Sequence, residues 1–308
     1  MTGRSAWPWF VALLLAASPG ARAAGACTSS AQATLKACGF AAADDFWIAQ
    51  AQCDHLRSAS DAATCREEAK SGLKEAHDEC REQHDARLEA CQALGEAAYD
   101  PVIDPARFVD PASIGGSIAP NPFMPLVRGR MWRYAGGGES IEVTVTNEVK
   151  TILGVRCAVV RDTVREDGEV IEDTEDWFAQ DIHGNVWYFG EISREFEDGE
   201  LISLEGSWKA GVDGAKPGIV MKAQPMVGVT YRQEFAIGSA EDLAKVVSVT
   251  GSAQTPATRC VNNCLVTRES TPLSPGDAEF KYYAPGIGLI LEVNAQTDER
   301  VRLVEFSH

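Results

Sequence analysis

The residues of this chain that could do chemistry are carboxylates, cysteines and a few histidines. Glu172-Asp-Thr-Glu-Asp176 offers oxygen ligands to calcium, and Asp173 and Asp176 with Glu191 offer the acid and base of a hydrolase-like reaction. Strand alternation divides that run, with Glu172, Thr174 and Asp176 on one face and Asp173 and Glu175 on the other, so it reads as a solvated edge. Cys260-Val-Asn-Asn-Cys264 with a methionine could take copper. The same cysteines can instead close a small loop, or Cys157 can pair across strands with Cys264; either way one thiol is left. Asp181, His183 and Asn185 could form a catalytic or metal corner, but they flank Gly184, and turn chemistry accounts for each. No G-x-S-x-G, H-E-x-x-H or P-loop pattern is present. Enzyme is therefore the weaker class, and no cofactor is expected.

Binding is the stronger class, because Trp132, Trp177, Trp187, Tyr188, Trp208, Tyr282 and Tyr283 are numerous enough to line a cavity for a small apolar ligand. They lie on strand-like runs. The clearest are Trp177-Phe178 and Val186-Trp-Tyr-Phe189, joined by Asp181-Ile-His-Gly-Asn185 as a hairpin. Further runs are Met131–Tyr134, Ile141–Thr146, Ile152–Val164, Glu169–Gln180, Arg194–Phe196, Leu201–Trp208, Tyr231–Phe235, Ala244–Thr250, Cys264–Glu269, Glu279–Tyr283, Ile287–Ala295 and Val301–Phe306. Residues 211–218 read as a glycine-rich rim or turn. About a dozen hairpin-linked strands over residues 126–308 predict an antiparallel β meander forming a barrel or half-barrel.

Residues 27–98 have helical composition, rich in Ala, Glu, Gln, Lys and Leu, and carry Cys27, Cys38, Cys53, Cys65, Cys80 and Cys91. The spacings, 11, 15, 12, 15 and 11, read the same in both directions. Steps of 11 and 15 are near whole helical turns, so each helix carries its sulfurs on one stripe. Of the fifteen pairings open to six cysteines, only the nested one fits two antiparallel helices: Cys27 with Cys91, Cys38 with Cys80, Cys53 with Cys65. The turn falls near Ala59, with Ser60 or Asp61 capping the second helix. His55, His77 and His84 suggest a metal site, but the close cysteine pairs of such sites are missing here, and surface histidines are the simpler reading.

Residues 1–26 have a basic start (Arg4), an apolar run from Ala6 to Ala17 and small residues at Ala21-Arg-Ala23 and Ala24-Gly-Ala26, the pattern of a secretory signal peptide. Ala24-Gly-Ala-Cys27 also approaches a lipobox, but acylated Cys27 could not pair with Cys91. The chain has 45 acidic and 28 basic residues, a net charge of −17, which disfavours nucleic acid and anionic lipid. No later run is long enough for a membrane span. Prolines recur through residues 99–125, which reads as a semi-rigid linker packed through Phe108 and Phe123.

Asn121-Pro-Phe-Met-Pro-Leu-Val, Asp176-Trp-Phe-Ala-Gln-Asp, Gly184-Asn-Val-Trp-Tyr-Phe-Gly-Glu191, Gly211-Val-Asp-Gly-Ala-Lys-Pro-Gly218, Tyr231-Arg-Gln-Glu and Lys281-Tyr-Tyr-Ala-Pro-Gly286 resemble motifs of a family of uncharacterised exported bacterial β-rich proteins. The resemblance spans roughly residues 120–295 and implies fold and export but no activity. Where that family has Asp-Gly-Asn at the turn, this chain has His183-Gly-Asn185, which weakens any calcium loop there.

The reading is thus an exported α+β protein, periplasmic or secreted: a disulfide-laddered helical hairpin followed by an antiparallel β barrel or half-barrel. It is expected to bind a small apolar molecule or another envelope protein, with a hydrolase-like enzyme or a calcium- or copper-binding protein as alternatives.

Overall fold

The computed structural model describes residues 25–307, so the expected export signal lies almost wholly outside the described residues. Two antiparallel helices come first, α1 (Ala26–Cys53) and α2 (Ala59–Leu94). Cys27–Cys91, Cys38–Cys80 and Cys53–Cys65 join them as three rungs, with Cα atoms 5.6, 5.7 and 5.7 Å apart. The cap of α2 is Ser58, which accepts from Asp61 N at 3.3 Å; Ser60 and Asp61 lie inside the first turn, where the carboxylate favours the helix dipole.

The residues buried on α1 are only Ala31, Ala42 and Cys53, so the hairpin has almost no side-chain core of its own. The rungs compensate, each contributing about 2–4 kcal/mol by restricting the unfolded chain. Reduction under native conditions is therefore expected to abolish most of the far-ultraviolet helix signal while the near-ultraviolet aromatic signal of the barrel persists. Retention of full helicity after reduction would show that the ladder is dispensable.

The β region comprises β1 (Met131–Gly136), β2 (Glu139–Ile152), β3 (Val155–Glu166), β4 (Glu169–Gln180), β5 (Val186–Ile192), β6 (Glu195–Glu197), β7 (Glu200–Ser203), β8 (Trp208–Lys209), β9 (Lys216–Met221), β10 (Thr230–Arg232), β11 (Glu234–Phe235), β12 (Leu243–Gln254), β13 (Arg259–Ser270), β14 (Ala278–Ala284), β15 (Gly288–Asn294) and β16 (Arg300–Phe306). Thirteen of these form one antiparallel path, β10-β12-β13-β14-β15-β16-β1-β2-β3-β4-β5-β9-β11. Its two ends are halves of one segment: Thr230–Arg232 pair with β12, and Glu234–Phe235 pair with β9. The sheet therefore curls into a nearly closed barrel, which removes most exposed edge.

Gly218 lies at this closure, where a Cβ would collide with the Gln233 carbonyl, so the two backbones meet only because position 218 has no side chain. Residues 211–218 are thus a rim only in part. From Lys216 onward they form β9, a strand obscured in the sequence by Pro217 and Gly218. A turn at Leu153-Gly154, both at positive φ, likewise divides the single run expected over Ile152–Val164 between β2 and β3.

Residues 99–125 pack on the barrel. Two short 3₁₀ turns, Pro105–Arg107 and Pro111–Ser113, are each capped by an aspartate, and Phe108 meets Trp187 and Phe189 edge-on at 6.1 and 5.5 Å. Asn121, 1% exposed, then turns the chain inward. Its Oδ1 accepts from Phe123 N and Met124 N, its Nδ2 donates to Gly184 O, and its own N donates to Gln180 Oε1. This clamp seats Phe123, Met124, Pro125 and Leu126 against the barrel interior.

Candidate functional site

The barrel holds a cavity of about 320 Å³ lined by two unlike sets of side chains. One is apolar: Phe123, Met124 and Leu126 from the inward-turned segment, Trp132 from β1, Ile141, Val143 and Val145 from β2, and Phe178 from β4. The other carries Asp162, Asp176, Glu234, Asp242, Glu269 and Glu292, with Lys281 as the lysine among them. Strand alternation explains the mixture, since Val160 and Asp162, Asp176 and Phe178, and Lys281 and Tyr283 are each two apart and face inward together.

Lys281 Nζ lies 3.5 Å from Glu269, 3.5 Å from Glu279 and 3.8 Å from Glu292. Burial alone would lower the ammonium; the charges of Glu292 and Glu269 reverse this and hold it well above the usual lysine range. Glu269 Oε1 also accepts from Thr267 at 2.8 Å and from the Tyr283 hydroxyl at 3.0 Å.

The remaining acids form no ion pair with Lys281, although its charge acts on Asp162, Glu234 and Asp242 from further off. Burial pushes the Asp162 carboxyl up to about 8, aided by Asp176 and Glu172, and its Oδ1 is buried without a hydrogen-bond partner. Burial raises Asp176 to about 7 against the hydrogen bond that the Tyr188 hydroxyl donates to it. Glu191, its register partner on β5, is raised to about 8 by burial and by the Asp176 charge. Glu234 and Asp242 are raised by burial, and Glu234 further by the Asp242 charge. These groups hold protons where ordinary carboxylates have lost them, and a cation entering the cavity would displace those protons.

Of the aromatic residues expected to line a cavity, Trp132, Tyr188 and Tyr283 do so. Trp132 Nε1 is fixed by donating to Ile287 O at 2.8 Å. Trp208 packs edge-on against Tyr188 at 5.4 Å but is not among the lining residues. Trp177 falls between the inward Asp176 and Phe178, so it faces the other side of the sheet, with Lys150 Nζ 3.6 Å from its ring centre. Trp187 also faces outward, donating to Asp181 Oδ2 at 3.0 Å, and Tyr282 lies between the inward Lys281 and Tyr283.

The hydrolase alternative is divided in the same way: Asp176 and Glu191 meet, sharing Tyr188, whereas Asp173 is on the outer face near Arg161 and Arg194, at 3.6 and 3.7 Å. Far from being a solvated edge, β4 is an interior strand paired on both sides by β3 and β5. Asp181 accepts from His183 N, Asn185 N and Nδ2, and Trp187 Nε1 at 2.8–3.0 Å, which accounts for it as the organiser of a turn with Gly184 at φ 86°.

Among the described residues no group of three or more His, Cys, Asp or Glu side chains is arranged to hold a metal ion. Cys260 and Cys264 are joined by a disulfide. Cys157 is the free, buried thiol, pushed up to about 12 by burial and so unreactive near neutral pH. Four disulfides mark an oxidising, extracytoplasmic setting, and among the described residues no helix is long and apolar enough to cross a membrane. No family model matches the chain, and neither does any curated protein or solved structure.

Proposed function

We propose that this chain is an exported, non-catalytic binding protein, periplasmic or secreted, whose barrel holds a small molecule with an apolar body and a cationic amine head. The observation that carries this reading is the mixed lining of the cavity, in which Trp132, Phe178 and Leu126 share the lumen with more carboxyls than the single Lys281 can neutralise. An apolar body would gain by burial at roughly 25 cal/mol per Å². An ammonium would gain from several carboxyls in a medium of low dielectric. Glu292 also lines a second pocket with Glu139, Glu279 and Glu299, a cluster of acids that would favour a cation nearby.

Titration of the full chain with phenethylamine and with phenylethanol, its near-isosteric neutral counterpart, tests this. At pH 8 the amine is expected to bind at least tenfold more tightly, about 1.4 kcal/mol, and Asp176→Asn is expected to remove most of that preference. Equal affinity for both compounds would overturn the cationic reading and leave an apolar-ligand carrier. The Asp176–Glu191 pairing favours a second reading, a hydrolase. For such an enzyme Asp176→Asn would abolish turnover of a bound compound while leaving its affinity intact, whereas the carrier loses affinity.

A further inference from the structure

A second cavity, of about 300 Å³, lies between the helical hairpin and the barrel, and its chemistry is opposite to that of the lumen. Its walls are short and apolar, chiefly Ala31, Ala90, Ala98 and Ile237, and the Cys27–Cys91 rung borders it. Three cationic side chains reach it. Arg87 is held by Glu241 at 2.8 Å and Lys216 by Asp100 at 2.7 Å, so each of these charges is matched.

Arg232 is different. Its guanidinium carbon lies 5.6 Å from the Tyr99 ring centre and 4.8 Å from that of Phe235. Those rings are themselves 5.2 Å apart, and Tyr99 is tethered by donating its hydroxyl proton to Pro217 O at 2.9 Å. Among the described residues Arg232 has no carboxylate within ion-pair distance, and its one hydrogen-bond contact is Nη2 to Cys27 Sγ at 3.8 Å, a weak acceptor. An oriented, partly desolvated guanidinium fork with its strong donors unspent is the group that recognises an oxyanion bidentately.

We infer that the hairpin–barrel junction binds a small monocarboxylate with a short apolar body, the carboxylate on the fork of Arg232 and the body among the alanines. Glu241 lines the same cavity and its charge acts on Arg232, but it is bound by Arg87. Arg87, Lys216 and Arg232 thus exceed Glu241 and Asp100 by one cation: a dianion such as a phosphate monoester would leave one negative charge uncompensated in a chain of net charge −17. The site is independent of the lumen, which prefers the opposite charge.

Calorimetric titration of the full chain with hexanoate and phenylacetate, against hexanol and phenylethanol, tests it. Saturable binding of at least one carboxylate, at least tenfold tighter than its alcohol, is expected, with no displacement by phenethylamine. Arg232→Gln should abolish that binding, and Arg232→Lys, which keeps the charge but loses the fork, should weaken it at least fivefold. Amide shifts in labelled wild-type protein should localise to Ser30, Ala31 and Ala98, which keeps the test decisive if either variant fails to fold. Binding of neither carboxylate, equal binding of acid and alcohol, or shifts confined to the lumen would overturn the assignment.

Discussion

Arg87→Ala is expected to lower the unfolding free energy by about 3–5 kcal/mol, far beyond the effect of an exposed ion pair. Arg87 Nε lies 3.2 and 3.0 Å from the two Glu241 oxygens, Nη2 lies 2.8 Å from Oε1, and the side chains are 8% and 6% exposed. Glu241 Oε1 also accepts from Gly238 N at 2.8 Å, so the carboxylate is held from both the hairpin and the barrel. Truncating the arginine leaves a buried carboxylate without its counter-charge, and that desolvated charge is the origin of the large cost. The paired replacement Arg87→Met with Glu241→Leu should recover most of the loss, because it removes both charges and restores apolar contact. Urea titrations of the single and double variants measure this. A single-variant cost below about 1 kcal/mol would mean that the hairpin is not docked through this pair.

The barrel is also expected to lose stability as pH rises from about 4 to about 8, opposite to the usual behaviour of salt-bridged carboxylates. Asp162, Asp176 and Glu191 have folded values of about 8, 7 and 8, above their unfolded ones, so the folded chain binds more protons than the unfolded chain throughout that window. Their contribution is fully present below about pH 4 and gone above about pH 8. For Asp176, raised from 3.8 to about 7, it is on the order of 4 kcal/mol. Because the three acids repel one another, they titrate as a set and their contributions do not add independently. Asp162→Asn and Asp176→Asn should each flatten the profile. Thermal melts between pH 4.5 and 8.5 provide the check, and a midpoint that rises across the interval would contradict the buried-acid lumen.

Much of the architecture was legible because it repeats. The palindromic cysteine spacings dictate a nested ladder, and the two-residue alternation in Glu172–Asp176 correctly separates inward Asp176 from outward Asp173 and Glu175. β9 and the barrel closure were hidden, since Pro217 and Gly218 read as loop, whereas closure depends on glycine at that point. The aromatic count overstated the cavity lining because Trp177 and Trp187 are of the right type but on the outward face.

The acid set of the lumen was the hardest feature to foresee. Its members come from β3, β4, β11, β13 and β15 and from Asp242 just before β12, with Glu191 of β5 beside Asp176, so no linear spacing links them. The available signal was a charged residue at the inward parity of an otherwise apolar strand, as in Val160-Arg-Asp162, Asp176-Trp-Phe178 and Lys281-Tyr-Tyr283.

Calorimetric titration with phenethylamine at pH 7 in two buffers of different ionisation enthalpy tests most directly whether the lumen takes a cation by giving up protons. One site is expected, with proton release approaching one per bound amine as Asp162, Asp176 or Glu191 ionises against the ammonium, and an apparent affinity that rises from pH 6 to pH 8. Binding without proton release, or no saturable binding of the amine, would contradict it.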